Sequence, residues 1–238
     1  MTSFAKFAIS SSLLAVAALG STSASALTLN TTGLKANAVL QFSLEAYGSS
    51  SAAGVSFAKG GTITDLPAAT VTDSKGNPAT VPVFNLPVTK VDVSIGSSLN
   101  IVPNYGLSTG AALHLTTKDG GDAYLANFKV DFKAKTITAD LIDAYLKTVE
   151  TAVPLYTFVE VKPQVVSLKG LVLNEKNYLG KLVFTPTVIP KLAGALLISD
   201  GLIPALAGLD WGTINVEVTS YKRSPAVSDK AFTLANIK

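Results

Sequence analysis

His114 is the only histidine in the 238 residues. It stands mid-strand in Ala112-Leu113-His114-Leu115-Thr116, on the face opposite Leu113 and Leu115. Imidazole is the natural general base near neutral pH. A hydrolytic triad, however, also needs a nucleophile on a strained turn, and no Gly-x-Ser-x-Gly occurs. One histidine cannot build His-Glu-x-x-His either. His114 therefore reads as an ordinary outward strand residue. Asp119-Gly120-Gly121-Asp122 puts two carboxylates on a flexible turn, which suits calcium. No further carboxylate stands in register nearby, so a plain hairpin turn is the better reading. A glycosidase pair of carboxylates would be set by the fold rather than by spacing. Yet Asp and Glu total only 16, and Glu45, Asp131, Asp140 and Glu217 alternate with apolar residues as solvent-face positions. Tyr47 and Trp211 are the aromatic candidates for stacking on a sugar or a planar ligand. Both also suit the ends of buried strands, with the polar tip outward.

Composition closes off whole classes of chemistry. The chain has no Cys, and its single Met is the initiator. Disulfides, thiolate nucleophiles, Cys-ligated zinc, iron–sulfur clusters and Met-ligated haem are excluded together. The net charge is +3 and charged residues make up 15%. Arg223 is the only arginine, so the forked contacts that read phosphate and guanine are missing. Nucleic acid is not an expected partner.

Residues 1–26 have the order of a secretory signal: Lys6, the uncharged apolar run Phe7–Leu19, and the small-residue site Ala24-Ser25-Ala26. The expected division is residues 1–26 as signal peptide and 27–238 as one β-rich domain. After signal removal no transmembrane segment is expected. The most apolar stretch, Val188–Leu209, is interrupted by Pro190, Lys191, Asp200 and Pro204. A secreted or periplasmic location follows.

Period two dominates what remains. Ala38, Leu40, Phe42, Leu44 and Ala46 alternate with Gln41, Ser43 and Glu45, predicting one strand over Asn37–Tyr47. Tyr124, Ala126, Phe128, Val130 and Phe132 alternate with Asn127, Lys129, Asp131 and Lys133. Ala134-Lys135 then leads into Thr136–Leu141, which predicts a hairpin. Further strands are expected at Val81–Asn85, Val88–Ile95, Leu99–Val102, Ala111–Thr117, Leu155–Val161, Val165–Val172, Lys181–Thr185, Thr213–Tyr221 and Ala231–Leu234. Turns are expected at Ser74–Pro78, Pro103–Gly106 and Asp119–Asp122. A short helix fits Pro190–Leu197, with Leu192, Leu196 and Leu197 on one stripe and Thr187 as cap. Asp140–Glu150 fits either a second helix or an extension of the strand before it. The fold class is all-β: a mostly antiparallel sandwich or partly closed barrel, with a short helix near 190–198. Its expected core comprises Leu40, Phe42, Leu44, Phe128, Val130, Phe132, Ile137, Ile214, Val216 and Val218.

Two stretches carry a family resemblance. Phe84–Leu141, with Thr109-Gly110-Ala111-Ala112-Leu113-His114-Leu115 and Leu125-Ala126-Asn127-Phe128-Lys129-Val130, is similar in order to the secreted bacterial haem-binding domain family HtaA. Ser43-Leu44-Glu45-Ala46-Tyr47 resembles that family's Ser-Phe-Arg-x-Tyr segment, whose Tyr ligates haem iron. The resemblance implies a β-rich fold, with Tyr47 as haem ligand and Ser43 as its neighbour. Glu45 stands where the family has Arg, and Ser108 where it has a supporting His; His114 follows several residues later. The function expected is a non-enzymatic exported protein with a structural, surface-associated or ligand-binding role, its partner a small ligand or cell-surface component. A haem-binding protein using Tyr47 is the alternative, and a secreted hydrolase the second. No cofactor is required, and haem is the candidate if one binds.

Overall fold

The computed structural model describes residues 25–73, 75–95, 101–169 and 172–237. In chain order they form β1 (Ser25–Asn30), β2 (Leu34–Phe42), α1 (Leu44–Ala52), β3 (Val55–Gly61), β4 (Thr64–Thr72), β5 (Pro78–Pro87) and β6 (Lys90–Ile95). Then come β7 (Ile101–Thr117), β8 (Asp122–Asp131), β9 (Thr136–Asp143), β10 (Thr148–Lys169) and β11 (Val172–Phe184). Helices α2 (Val188–Ala195) and α3 (Ile203–Leu206) precede β12 (Gly212–Lys222). The expected signal lies outside the described residues except for Ser25 and Ala26, which open β1 opposite Ile95 and Ser94.

The strands form one antiparallel sheet in the order β1-β6-β7-β8-β9-β10-β11-β12-β2-β5-β4, with β3 added beside β7. It folds over on itself as a sandwich without closing into a barrel. The fold-over is a bent ribbon. The β1–β6 ladder continues into the β2–β5 ladder around a corner at Thr31. There the Thr31 backbone donates to Thr89 O at 2.9 Å, and its buried hydroxyl donates to Val88 O at 2.8 Å. A buried corner is tolerated because its backbone polar groups are satisfied this way.

Alternation finds the β8–β9 hairpin, β12 and, as far as Phe42, β2, and Leu40, Phe42, Phe128, Ile137, Ile214, Val216 and Val218 are buried. Leu44, Val130 and Phe132 pack against that core half-buried. One face was misassigned. Asn127 has φ +53° and Gly110 φ +80°, and the β7–β8 and β8–β9 registers slip at these residues. Such paired bulges reverse the inward parity. Ala123 and Leu125 join the main core ahead of the slip, and Phe128 after it. Tyr124 and Ala126 point outward instead, into a separate cluster with Ala112, Ile142 and Phe232.

Other expectations are corrected. The strand over Asn37–Tyr47 stops at Phe42, and Ser43 caps helix α1. Pro103–Gly106 is no turn but part of continuous β7, paired with β6. The segments at Leu155–Val161 and Val165–Val172 belong to one long strand, β10, as far as Lys169; residues 170–171 lie outside the description. Residues 96–100 of the expected Leu99–Val102 strand also lie outside it. Asp140–Glu150 is not a helix: the preceding strand extends as β9 to Asp143, a turn follows, and β10 begins at Thr148. Ala231–Leu234 is not paired as a strand; Phe232 plugs the outer cluster and a 3-10 turn follows. Helix α2 starts after Thr187, whose side chain makes no capping bond, and Leu197 lies beyond it, 49% exposed. The turn ahead of β5 holds: Asp73 accepts from the Asn77 side chain and from the Asn77 and Lys75 backbones. Those bonds keep its carboxyl below the usual carboxylate range.

Candidate functional site

Helix α1 exists because Ser43 satisfies its first turn. The Ser43 hydroxyl accepts from Ala46 N at 3.0 Å and donates to Asp210 O at 2.5 Å. Its backbone N–H reaches Trp211 O. The helix thus leaves the sheet at a point fixed by the approach to β12. Tyr47 lies on this helix, half-buried, with its ring 6.4 Å from Phe57. Glu45, in the same first turn, is exposed.

The residues that would support a haem phenolate are elsewhere. Phe57 pairs with Leu115 on β7. Ser108 is seven residues back along that strand, a separation of roughly 20 Å at ~3.3 Å per residue. His114 lies on the outward face of β7, the side away from Phe57 and Tyr47. It stacks on Tyr124 at 4.2 Å with the rings 2° from parallel, and its Nε2 is 2.8 Å from Asp122 Oδ1. Tyr124 in turn packs against Phe232. Burial, and then the Asp122 charge, push the Tyr124 phenol upward. Neither Ser108 nor His114 stands beside Tyr47, so the residues present do not make up the supported ligand set that the resemblance implies.

The other sequence candidates have structural places. Asp119–Asp122 is a turn, and its Gly121 lies under the end of α2. A Cβ there would meet Leu196 O at 2.2 Å. Thr117 Oγ1 donates to the same carbonyl at 2.9 Å, so the turn seats the helix. Among the described residues no group of three His, Asp or Glu converges as a metal site. Trp211 is buried beside Phe184 at 4.1 Å, with Tyr156 and Phe42 at 6.4 Å. It belongs to the core and offers no exposed stacking face.

The interior that the two layers share contains a narrow apolar cleft, with about 40 Å³ of free space. Leu40 on β2, Val88 and Val91 around the corner into β6, Phe128 on β8, Ile137 on β9 and Val216 on β12 line it from both layers. Half-buried Val130 and Phe132 stand at its edge. Three polar side chains reach it: Ser108, Tyr156 and Glu175. Glu175 is 1% exposed and accepts from Asn177 Nδ2 at 2.8 Å. Tyr156 is fully enclosed and stacks on Phe184 at 4.7 Å; burial pushes its phenol strongly upward, so it stays neutral. Sequence reasoning did not find this cleft. Glu175 and Asn177 sit at inward positions of β11, a strand whose N-terminal half carries no apolar alternation.

No family model matches the chain, and no curated protein matches it. A solved structure, the C-terminal domain of HtaA from Corynebacterium glutamicum, is similar at 12% identity and a TM-score of 0.41. The match covers 79% of this chain and 98% of that one. It is a distant structural resemblance. Among the described residues no helix is long and apolar enough to cross a membrane.

Proposed function

We propose that this is an exported, non-enzymatic β-sandwich that binds a slender apolar ligand in the cleft between its layers. The observation behind this reading is the cleft itself, walled by aliphatic side chains from both layers and edged by half-buried Val130 and Phe132. Ligand sites are typically apolar and carry a few convergent polar groups; here Ser108 and Glu175 would fix orientation. Size selects the ligand class. A buried water needs roughly 10–15 Å³ of such space. The cleft's about 40 Å³ therefore suits a stretch of methylene chain and not a macrocycle. The non-enzymatic reading draws on the scatter of titratable groups. His114 and Asp122 sit together on the outer sheet face, whereas Glu175 is interior and accepts from Asn177, so these groups do not converge on one point.

Calorimetric titration of the protein with medium-chain alcohols tests it. Saturable binding in wild type, lost in Ala38→Leu at the cleft wall with the melting temperature held or raised, is the expected result. Binding that ignores Ala38→Leu would overturn the assignment. The alternative, ferric haem on Tyr47, is tested by a Soret titration. A saturable band that collapses in Tyr47→Ala would favour it over the cleft, and an unshifted spectrum would remove it.

A further inference from the structure

The outward face of β2, β12 and β11 carries a second, different concavity. It encloses about 400 Å³ and is open to solvent along the sheet. Its residue types differ sharply from the cleft's. Three asparagines, Asn37 on β2, Asn215 on β12 and Asn174 on β11, share it with Tyr178, Tyr221 and Lys35. The register brings them together. Asn215 is paired with Tyr178 on one side and Val39 on the other, Asn37 with Glu217, and Asn174 with Thr219.

Three observations point to a ligand. An asparagine amide both donates and accepts, as a sugar hydroxyl does, and neighbouring strands repeat at ~4.8 Å, about the length of one pyranose unit. Next, part of this polar lattice is unpaired. Asn174 Oδ1 and Arg223 Nη1 are buried with no hydrogen-bond partner among the described residues. Arg223 Nη2 donates to Asn37 Oδ1 at 2.8 Å and also to the Ala36 carbonyl. Finally, cations outnumber anions here. Glu217 is neutralised by Lys176 at 3.1 Å. Lys35 is exposed, Lys162 stands 4.9 Å over the Tyr178 ring, and Arg223 backs Asn37.

We propose that this groove binds an acidic polysaccharide. Sugar hydroxyls meet the Asn37 and Asn215 amides and the Asn174 amide nitrogen, and ring carboxylates meet Lys35 and Lys162, with Arg223 holding Asn37 from behind. The site lies on the outside of the sheet, whereas the cleft lies inside it, so either assignment can fail without the other.

Titrating the protein with polygalacturonate oligomers, neutral maltooligosaccharides and polyglutamate tests it. The expected result is saturable binding of polygalacturonate, about tenfold or more tighter than the neutral oligomers, with polyglutamate not competing. That binding should weaken as salt shortens the screening length. Lys35→Glu and Asn215→Asp, both at exposed positions, should each weaken it about tenfold with unchanged thermal melts. No saturable binding of polygalacturonate would overturn the proposal. Equal binding of polyglutamate, equal binding of the neutral oligomers, or indifference to both substitutions would do the same.

Discussion

Replacing Asn127 with alanine removes one side chain that ties three separate segments together. Its Oδ1 accepts from Gly110 N at 3.0 Å and Phe232 N at 2.8 Å. Its Nδ2 donates to Phe232 O at 2.9 Å and to Asp140 Oδ2 at 2.7 Å. The amide therefore stands in for a strand, holding the C-terminal segment against the bulge in β7. Gly110 is part of the same device. At φ +80° it lets Lys230 O come so close that a Cβ would lie 2.6 Å away. Three ordinary hydrogen bonds at about 1 kcal/mol each and one to a carboxylate at about 1.5 give roughly 4.5 kcal/mol. Alanine at φ +53° adds about 1 kcal/mol of backbone strain. Allowing for relaxation and water, Asn127→Ala should destabilise by about 3–5 kcal/mol in urea unfolding followed by Trp211 fluorescence. Truncation after Lys230 supplies the control. It deletes Phe232, and with it two of the four bonds, so the same substitution there should cost about 2 kcal/mol less. A loss below about 1 kcal/mol in the full chain, or an equal loss in both backgrounds, would refute the latch.

Other expectations can be checked with the same protein. Phe128→Ala should cost about 3–5 kcal/mol in urea unfolding, since its ring is buried in the shared core; under about 1 kcal/mol would mean that face is not packed. Ser43→Ala, removing the cap of α1 and its bond to Asp210 O, should cost about 1–2 kcal/mol, and Ser43→Asp should recover the capping part but not the donor. Tyr156 has its phenol raised by burial, so its neutral form is the one the fold holds. Its contribution is complete below the unfolded value near pH ~10 and is lost as pH rises beyond it. The urea midpoint of wild type should thus fall more steeply than that of Tyr156→Phe between about pH 9 and 11, and parallel curves would contradict this.

Much of the architecture was written in local pattern. Alternation in Asn37–Phe42, the β8–β9 hairpin and Thr213–Tyr221 marks strands because a half-buried sheet repeats every two residues. The turns at Ser74–Pro78 and Asp119–Asp122 were legible because Asp, Asn, Gly and Pro each bend the backbone for a local reason. Composition alone removed thiol, disulfide and iron–sulfur chemistry. Helix α1 was hidden, because Leu44 and Ala46 continue the strand's parity and Gly48–Ser51 is a weak helix former. What makes it a helix is Ser43 bonding to Asp210 O, 167 residues away in sequence. The parity reversal at Asn127 was hidden for the same kind of reason. An asparagine among alternating residues looks like a solvent position until Gly110, Asp140 and Phe232 converge on it. His114 reads as an outward residue of β7 and lies there, but Tyr47 could be named from the sequence and not placed, since the helix carries it off the strand. The cleft and the outer groove are further still from local signal. Each draws its lining from strands far apart in sequence, β2 and β12 beside β11, and only the pairing of those strands makes either surface exist.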